Sequence, residues 1–220
     1  MIAAPEAGSP RRDRLVELLR LSPIIPVITI ERVEDAVPLA RALVAGGLRL
    51  LEITLRTPVA RASAEAIVAN VPAAIVGIGT VLSKQDLALA SDIGAQFALS
   101  PGATQNLLEA AAAHDLPFIP GIATSSELMA ALAHGFDIMK FFPAVSAGGI
   151  ATLAALSGPF PQVRFCPTGG IGEGNARTWL AQPNVIAVGG SWLTPAADVT
   201  GGAWDAITER VRRTLSQLSA

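Results

Sequence analysis

The pattern of apolar and polar positions alternates short apolar runs with longer segments that repeat apolar residues at helical spacing. The centres of the runs recur about every 21 to 27 residues, the length of one strand, one helix and two short loops. The runs that predict strands are Ile24–Ile30, Leu48–Leu55, Ile75–Gly79, Phe97–Ser100, Phe118–Gly121, Ile138–Phe142, Arg164–Thr168 and Val185–Gly189. This alternation predicts parallel strands connected by helices.

Eight such units predict an α/β fold, a closed (β/α)8 TIM barrel. An extra N-terminal helix is predicted over Arg11–Leu21, and the last helix over Trp204–Leu218. An open doubly wound sheet is the alternative, but its Gly-x-Gly-x-x-Gly turn is missing after the first strand, where residues 30–33 read Ile-Glu-Arg-Val. A solenoid is disfavoured because the helical segments share no consensus. Since no linker divides the chain, we predict one domain over residues 1–220, with residues 1–14 as a flexible leader.

Composition narrows the classes of protein further. Apolar residues make up 51% of the 220 positions and charged residues 15%, which excludes a disordered chain. The formal net charge of -2 argues against a nucleic acid or an anionic membrane as partner, and no apolar run reaches the roughly 18 residues of a membrane span. Cys166 is the single cysteine, so we expect no intrachain disulfide and a cytoplasmic, reducing location.

The chain contains two lysines whose surroundings differ. Lys84 lies in a polar stretch that suits a solvated helix start. Lys140 is flanked by four apolar residues, which are Ile138, Met139, Phe141 and Phe142. An amine removed from water gives up its proton more readily, and the neutral amine can attack a carbonyl carbon to form an imine. Lys140 is therefore a candidate nucleophile, with a structural ion pair as the alternative.

A second charge, Glu52, lies inside an apolar strand, and Arg56 ends that strand. A buried carboxylate is suited to moving protons, but a buried ion pair with Arg56 or another arginine explains the pattern equally well. The Arg56 guanidinium could grip a substrate carboxylate or phosphate, or it could be an ordinary surface arginine.

Glycine pairs follow the last two predicted strands, at 169–170 and at 189–190. In barrels of this type the loops after strands seven and eight often bind phosphate through backbone N–H groups. His114 and His134 close helices and should lie on the opposite face, near helix C-termini. We therefore expect a phosphate site, with ordinary turns as the alternative for the glycine pairs, and neither a histidine base nor a metal site.

Eight motifs along the chain carry a resemblance to a known family. They are Pro26–Ile28, Leu51–Thr57, Val76–Leu82, Phe97–Gly102, Ile119–Ile122, Lys140–Ala144, Arg164–Ile171 and Gly189–Leu193. Together they resemble the bacterial 2-keto-3-deoxy-6-phosphogluconate (KDPG) aldolases. The resemblance implies a class I aldolase of the Entner–Doudoroff pathway that needs no cofactor or metal. Such an enzyme cleaves KDPG to pyruvate and glyceraldehyde 3-phosphate, and family members also cleave 4-hydroxy-2-oxoglutarate to pyruvate and glyoxylate.

The resemblance also implies roles for single residues. Lys140 would form the Schiff base with the pyruvate unit, and Glu52 would move protons during carbinolamine formation and at the enamine carbon. Arg56 and Thr80 would hold the pyruvate carboxylate. The pocket would be lined by Pro101 and Phe142.

The remaining implied contacts concern the phosphate and the choice of substrate. The phosphate would be bound by Gly169, Gly170, Gly190 and Ser191. Thr168 resembles the gluconate-specific branch, because galactonate-specific relatives tend to carry an apolar residue there. Many relatives have a glutamate where this chain has Val145, which affects the expected substrate preference. The resemblance further implies a homotrimer whose substrate is a small phosphorylated keto acid. From the residues alone, an isomerase or epimerase that uses Glu52 as base, or a barrel that only binds a sugar phosphate, remain alternatives.

Overall fold

The computed structural model describes residues 9–219. Its helices are α1 Pro10–Arg20, α2 Val33–Gly46, α3 Ala60–Asn70, α4 Lys84–Ile93, α5 Gln105–Ala112, α6 Ser125–Ala133, α7 Gly149–Ser157, α8 Ala176–Leu180, α9 Ala196–Thr200 and α10 Trp204–Ser219. Its strands are β1 Ile24–Ile28, β2 Leu50–Thr54, β3 Ile75–Gly79, β4 Phe97–Leu99, β5 Phe118–Ile119, β6 Gly121–Ile122, β7 Ile138–Phe141, β8 Arg164–Pro167 and β9 Val188–Gly190. Across this part of the chain, none of the helices has the length and apolar character needed to cross a membrane.

The strands form two parallel sheets. One has the order β5-β4-β3-β2-β1-β9, and the other has the order β6-β7-β8. Every strand pairing is parallel, as the alternation of strands and helices predicted. The α/β class and the parallel sheet are therefore confirmed.

The strand boundaries differ from the predicted ones for local reasons. The run predicted over Phe118–Gly121 is divided into β5 and β6 at Pro120, whose nitrogen carries no hydrogen for the sheet ladder. The strand predicted over Val185–Gly189 begins only at Val188, where regular pairing with β1 starts. Val185 itself makes only an isolated bridge to β8.

The helix before the first strand overlaps the predicted leader. Residues 1–8 lie outside the described part, but residues 10–14 are helical rather than a flexible leader. The Ser9 hydroxyl accepts the N–H of Arg12 and caps α1, which has proline at its first position. Arg11 donates to the carbonyl oxygens of Ala111, Ala112 and His114, at 2.7 to 3.0 Å. These bonds hold α1 against the end of α5.

The two sheets share an apolar cluster, which lies on their concave faces. Leu15 and Leu19 of α1 pack there against inward side chains of the strands, among them Ile25, Leu50, Phe97, Leu99, Ile119, Ile138 and Cys166. Side chains alternate between the two faces of a strand, so the residues two positions further along share this face. On β2 that residue is Glu52, and on β7 it is Lys140. The fold therefore places both charged residues above an apolar floor, on the carboxyl side.

Candidate active site

Lys140 and Glu52 form a buried pair on the concave face. Nζ of Lys140 donates to Oε1 of Glu52 at 2.9 Å, and the two side chains are only 3% and 1% exposed. The sequence suggested Arg56 or another arginine as an ion-pair partner of Glu52, and the structure gives Lys140 instead. A nucleophile candidate and a proton-transfer candidate are thus in direct contact.

The Glu52 carboxylate keeps one free acceptor. Its Oε2 atom is buried and has no hydrogen-bond partner among residues 9–219, although buried polar atoms are normally paired. Burying two opposite charges also costs desolvation energy. Transfer of a proton along the 2.9 Å contact removes both charges and leaves a neutral amine beside a carboxylic acid. The pair can therefore supply both a nucleophile and an acid.

Phe142 and Pro101 lie beside the lysine. Nζ of Lys140 is 5.7 Å from the centroid of the Phe142 ring, within the range of a cation–π contact. Gly121 is the partner of Lys140 in the β6–β7 register, and a Cβ built on Gly121 would lie 2.5 Å from the carbonyl oxygen of Pro101. Glycine at position 121 thus allows the backbone of Pro101 to come up to the strand next to the lysine.

Arg56 and Thr80 are joined just beyond β2 and β3. Nε of Arg56 donates to Oγ1 of Thr80 at 3.2 Å. Thr80 is the one non-glycine residue with positive φ (62°) in the described part of the chain, an unfavourable conformation for a β-branched residue. Strained backbone of this kind is concentrated at ligand sites. The contact orients an exposed guanidinium that has further N–H donors for a carboxylate.

The first glycine pair forms a loop after β8. Gly169 and Gly170 have φ of 101° and 76°, which glycine adopts without strain. The N–H of Ala144 donates to the backbone carbonyl oxygen of Thr168 at 2.8 Å, and the N–H of Val145 donates to that of Gly169 at 3.1 Å. Val145, which replaces the glutamate of many relatives, therefore lies directly against this loop.

The second glycine pair has a packing role. A Cβ built on Gly190 would overlap the indole of Trp192, and one built on Gly189 would lie 3.1 Å from Cβ of Thr168. Glycine is needed at both positions whether or not a phosphate approaches. Ser191 is exposed and lines a cleft of about 350 Å³, so this side chain is a better probe of phosphate binding than the glycines.

Comparison with known proteins places these residues in one family. The model of the KDPG and KHG aldolase family, in which KHG is 4-hydroxy-2-oxoglutarate, matches residues 15–210. The chain belongs to the KDPG and KHG aldolase family.

Relatives in this family align over most of the chain. The KHG/KDPG aldolase of Escherichia coli K12 is 52% identical over 195 residues, which cover 89% of this chain and 92% of the relative. The 2-dehydro-3-deoxy-phosphogluconate aldolase of Dickeya dadantii is 50% identical over 93% of this chain and 96% of its own. The crystal structure of KDPG aldolase from Legionella pneumophila, with pyruvate captured as a covalent carbinolamine, superposes with a TM-score of 0.89. It has 47% identity over 91% of this chain and 97% of that one.

This member of the family also has a cysteine beside the lysine. Cys166 is the register partner of Lys140 between β7 and β8. Burial raises the pKa of the Cys166 thiol to about 12, against a lowering by Lys140, while Glu52 raises it further. Because the thiol stays protonated near neutral pH, it does not provide a second nucleophile.

The histidines lie at helix ends, as predicted. His134 ends α6, and its Nδ1 is 2.8 Å from the carbonyl oxygen of Ala130. His114 follows α5, and its Nδ1 accepts the N–H of Leu116 at 3.1 Å. Within residues 9–219 there is no group of three or more His, Cys, Asp or Glu side chains that could hold a metal ion.

Three site residues escaped the sequence reasoning: Cys166 as a neighbour of the lysine, Gly121 and Gly79. The two glycines do carry a signal, because glycine inside a strand often marks a place where another group approaches closely. Gly121 lies in β6, and Gly79 lies at the end of β3. Only the structure identifies the groups that approach them.

The strained backbone at Thr80 leads to a prediction that separates stability from binding. In Thr80→Gly we expect the melting temperature to stay level or rise by a few degrees, because the left-handed conformation costs a side-chain-bearing residue roughly 1 to 2 kcal/mol. We expect the KM for KDPG to rise about tenfold, because Arg56 loses the hydroxyl that orients it.

Thr80→Ser is the control, since it keeps the hydroxyl and should retain a wild-type KM. Melting curves and steady-state cleavage assays check both variants. A lower melting temperature with an unchanged KM in Thr80→Gly would show that the Thr80 backbone is not strained and that its hydroxyl does not orient Arg56.

Proposed function

We propose that the protein is a class I aldolase that cleaves KDPG to pyruvate and glyceraldehyde 3-phosphate, and that also cleaves 4-hydroxy-2-oxoglutarate to pyruvate and glyoxylate. The main support for this proposal is the 2.9 Å contact between the buried side chains of Lys140 and Glu52. The names of the E. coli and Dickeya relatives support both the chemistry and the dual substrate. The carbinolamine in the Legionella enzyme supports a covalent route.

In the proposed mechanism, neutral Nζ of Lys140 attacks the C2 carbonyl carbon of the keto acid. The carbinolamine loses water to form an imine, with Glu52 delivering and removing the protons. The C4 hydroxyl then gives its proton to the Glu52 carboxylate, the C3–C4 bond breaks and its electron pair moves into the imine, which releases the aldehyde and leaves an enamine. Glu52 returns a proton to C3, and hydrolysis frees pyruvate and the lysine.

The pyruvate half of the substrate is proposed to lie between the lysine and the Arg56–Thr80 pair. The Arg56 guanidinium and the Thr80 hydroxyl would bind its carboxylate, and Phe142 and Pro101 would line the pocket around the reacting carbon. Thr168 would contribute to substrate preference, because it lies buried between β8 and the glycine of β9. This arrangement also makes a metal unnecessary, since the imine accepts the electron pair of the broken bond.

Borohydride reduction in the presence of pyruvate tests the proposal. We expect a reduced adduct on Lys140 and none on Lys84, located by peptide mass mapping, and undiminished KDPG cleavage in the presence of a chelator. Cleavage without an adduct on Lys140 would rule out the covalent mechanism. Loss of cleavage in the chelator, restored by zinc, would rule out metal independence. An isomerase that uses Glu52 as base would rearrange a sugar phosphate and form no adduct.

The phosphate is proposed to bind at the two loops formed by Gly169 and Gly170, and by Gly190 and Ser191. The positive φ values of the first pair and the exposed Ser191 hydroxyl suit an anion held by N–H and O–H donors. In Ser191→Ala we expect the KM for KDPG to rise roughly tenfold, the value of one hydrogen bond to a charged group. Cleavage of 4-hydroxy-2-oxoglutarate, which has no phosphate, should change less than about twofold. If cleavage of both substrates were impaired equally, the phosphate would not be bound at this loop.

We further propose that the two sheets close into a single eight-stranded (β/α)8 barrel within one domain. In support, β5 and β6 are consecutive segments separated by Pro120, and isolated bridges connect Phe165 with Val185 and Thr168 with Gly189. A cytoplasmic homotrimer is proposed on the family resemblance. Sedimentation of the purified protein measures the subunit number.

A further inference from the structure

We propose that Gly79 is a positioning residue: the absence of a side chain there holds the Glu52 carboxylate in contact with Lys140. A Cβ built on Gly79 would lie 2.7 Å from Cγ and 2.8 Å from Cδ of Glu52, and closer still to Oε1. Real Cβ atoms do not come so near to other heavy atoms. Any side chain at position 79 would therefore displace the part of Glu52 that carries the chemistry.

The backbone of Gly79 does not itself demand glycine. Gly79 is the last residue of β3 and pairs in register with Thr54 of β2. It is absent from the glycines with positive φ, so alanine could adopt its backbone conformation. The requirement for glycine at this position comes from the space that Glu52 occupies.

Glu52 cannot move aside without losing its contact with the lysine. Its side chain is 1% exposed, and Oε1 is the atom that accepts the 2.9 Å hydrogen bond from Nζ of Lys140. To accommodate a Cβ, the carboxylate must move by roughly an ångström, and displacements of that size cost about 10²-fold in rate. The expected damage falls on proton transfer, because Gly79 adds no group that contacts the substrate.

Gly77 provides a matched control on the same strand and the same face. A Cβ built on Gly77 would lie 2.6 Å from Cε1 of Phe97 and closer to two other atoms of that ring. Phe97 is fully buried in the apolar floor. Gly77 is the register partner of Glu52 between β2 and β3, but the three atoms nearest to its added Cβ all belong to Phe97. Alanine at position 77 is therefore expected to strain the core first.

The experiment compares Gly79→Ala with Gly77→Ala in three assays, and it rests on the proposed aldolase function for two of them. The assays are steady-state cleavage of KDPG, exchange of the pyruvate methyl protons with deuterated solvent, and thermal unfolding. In Gly79→Ala we expect kcat and the exchange rate to fall about 10²-fold, with KM changed less than about threefold. In Gly77→Ala we expect a lower Tm and a kcat within about threefold of wild type per folded molecule.

A double-mutant cycle separates positioning from general damage. In a Glu52→Gln background the proton-transfer group is already lost, so Gly79→Ala should lower kcat by less than about threefold further. A loss of 10²-fold in that background, or a kcat of Gly79→Ala within threefold of wild type, would overturn the proposal. The proposal would also be overturned if Gly79→Ala lost both its fold and its kcat, and Gly77→Ala lost both in the same way.

A stability cycle tests the contact without any activity. We expect Gly79→Ala to lower Tm by roughly 3 to 10 °C in wild type, and by less than half as much in a Glu52→Ala background, where the displaced atoms are gone. If Gly79→Ala folds only in that background, the contact is supported. If it fails to fold in both backgrounds, or costs the same in both, the proposal is wrong. Wild-type protein that neither exchanges nor cleaves would refute the proposed aldolase function and leave this cycle to decide on the contact.

Discussion

Replacing Lys140 with arginine is expected to lower kcat for KDPG cleavage by at least about 10⁴-fold, the scale seen when a covalent nucleophile is removed. Arginine keeps a positive charge opposite Glu52, but its guanidinium stays protonated and forms no imine. We expect no adduct with pyruvate and borohydride, and near-UV and far-UV circular dichroism close to wild type.

Lys84→Arg is the matched control, because Lys84 is the other lysine and lies exposed at the start of α4, in a cleft between α4 and α5. This variant should keep wild-type kcat and KM within about twofold. A Lys140→Arg enzyme that retains more than a hundredth of the wild-type kcat would show that the lysine is not the nucleophile.

The second large effect is expected for Glu52→Gln, with kcat lowered by roughly 10² to 10⁴-fold, the usual contribution of a general acid or base. Glutamine keeps the size of the side chain and can still accept a hydrogen bond from Nζ of Lys140. It cannot exchange a proton with the substrate, so KM should change much less than kcat. Because Lys140 remains in place, borohydride should still trap pyruvate on it, more slowly than in wild type.

Glu65→Gln is the control for loss of a carboxylate, since Glu65 is exposed on α3 and pairs with Arg61 one helical turn away. It should leave kcat unchanged. Steady-state and single-turnover assays separate the chemical step from binding. If Glu52→Gln raised KM alone and left kcat intact, Glu52 would serve substrate binding and not proton transfer.

Most of the fold could be predicted from the sequence because the signals are local. The alternation of apolar runs and helical segments located all the strands, and Ile75–Gly79 agrees with β3 at both ends. Deviations occur where a single residue or a distant partner decides, as at Pro120, which divides one predicted strand, and at Val188, where pairing with β1 begins. Residues 11–14 were predicted both as part of the leader and as the start of the N-terminal helix, and the structure has them in α1. The contacts of Arg11 with acceptors about 100 positions away, at the end of α5, carry no local signal.

The chemistry of the site was predictable only at the level of residue types. A lysine and a glutamate inside apolar strands have few explanations other than a paired or functional role, since burying a lone charge is very costly. Which partner each charge meets is a different matter, because Glu52 and Lys140 are 88 positions apart and local sequence holds no information on their distance. The way the two sheets face each other brings the two side chains to 2.9 Å and leaves Arg56 bonded to Thr80 instead.

The glycines show the same division. Gly169 and Gly170 have positive φ in a turn that follows a strand, and a glycine pair after a strand indicates such a turn in the sequence. The reasons for Gly79, Gly121 and Gly190 are contacts with Glu52, Pro101 and Trp192. In the first two cases the neighbour lies on another part of the chain, so the sequence marks the glycine but only tertiary packing tells what fills the space of the missing side chain.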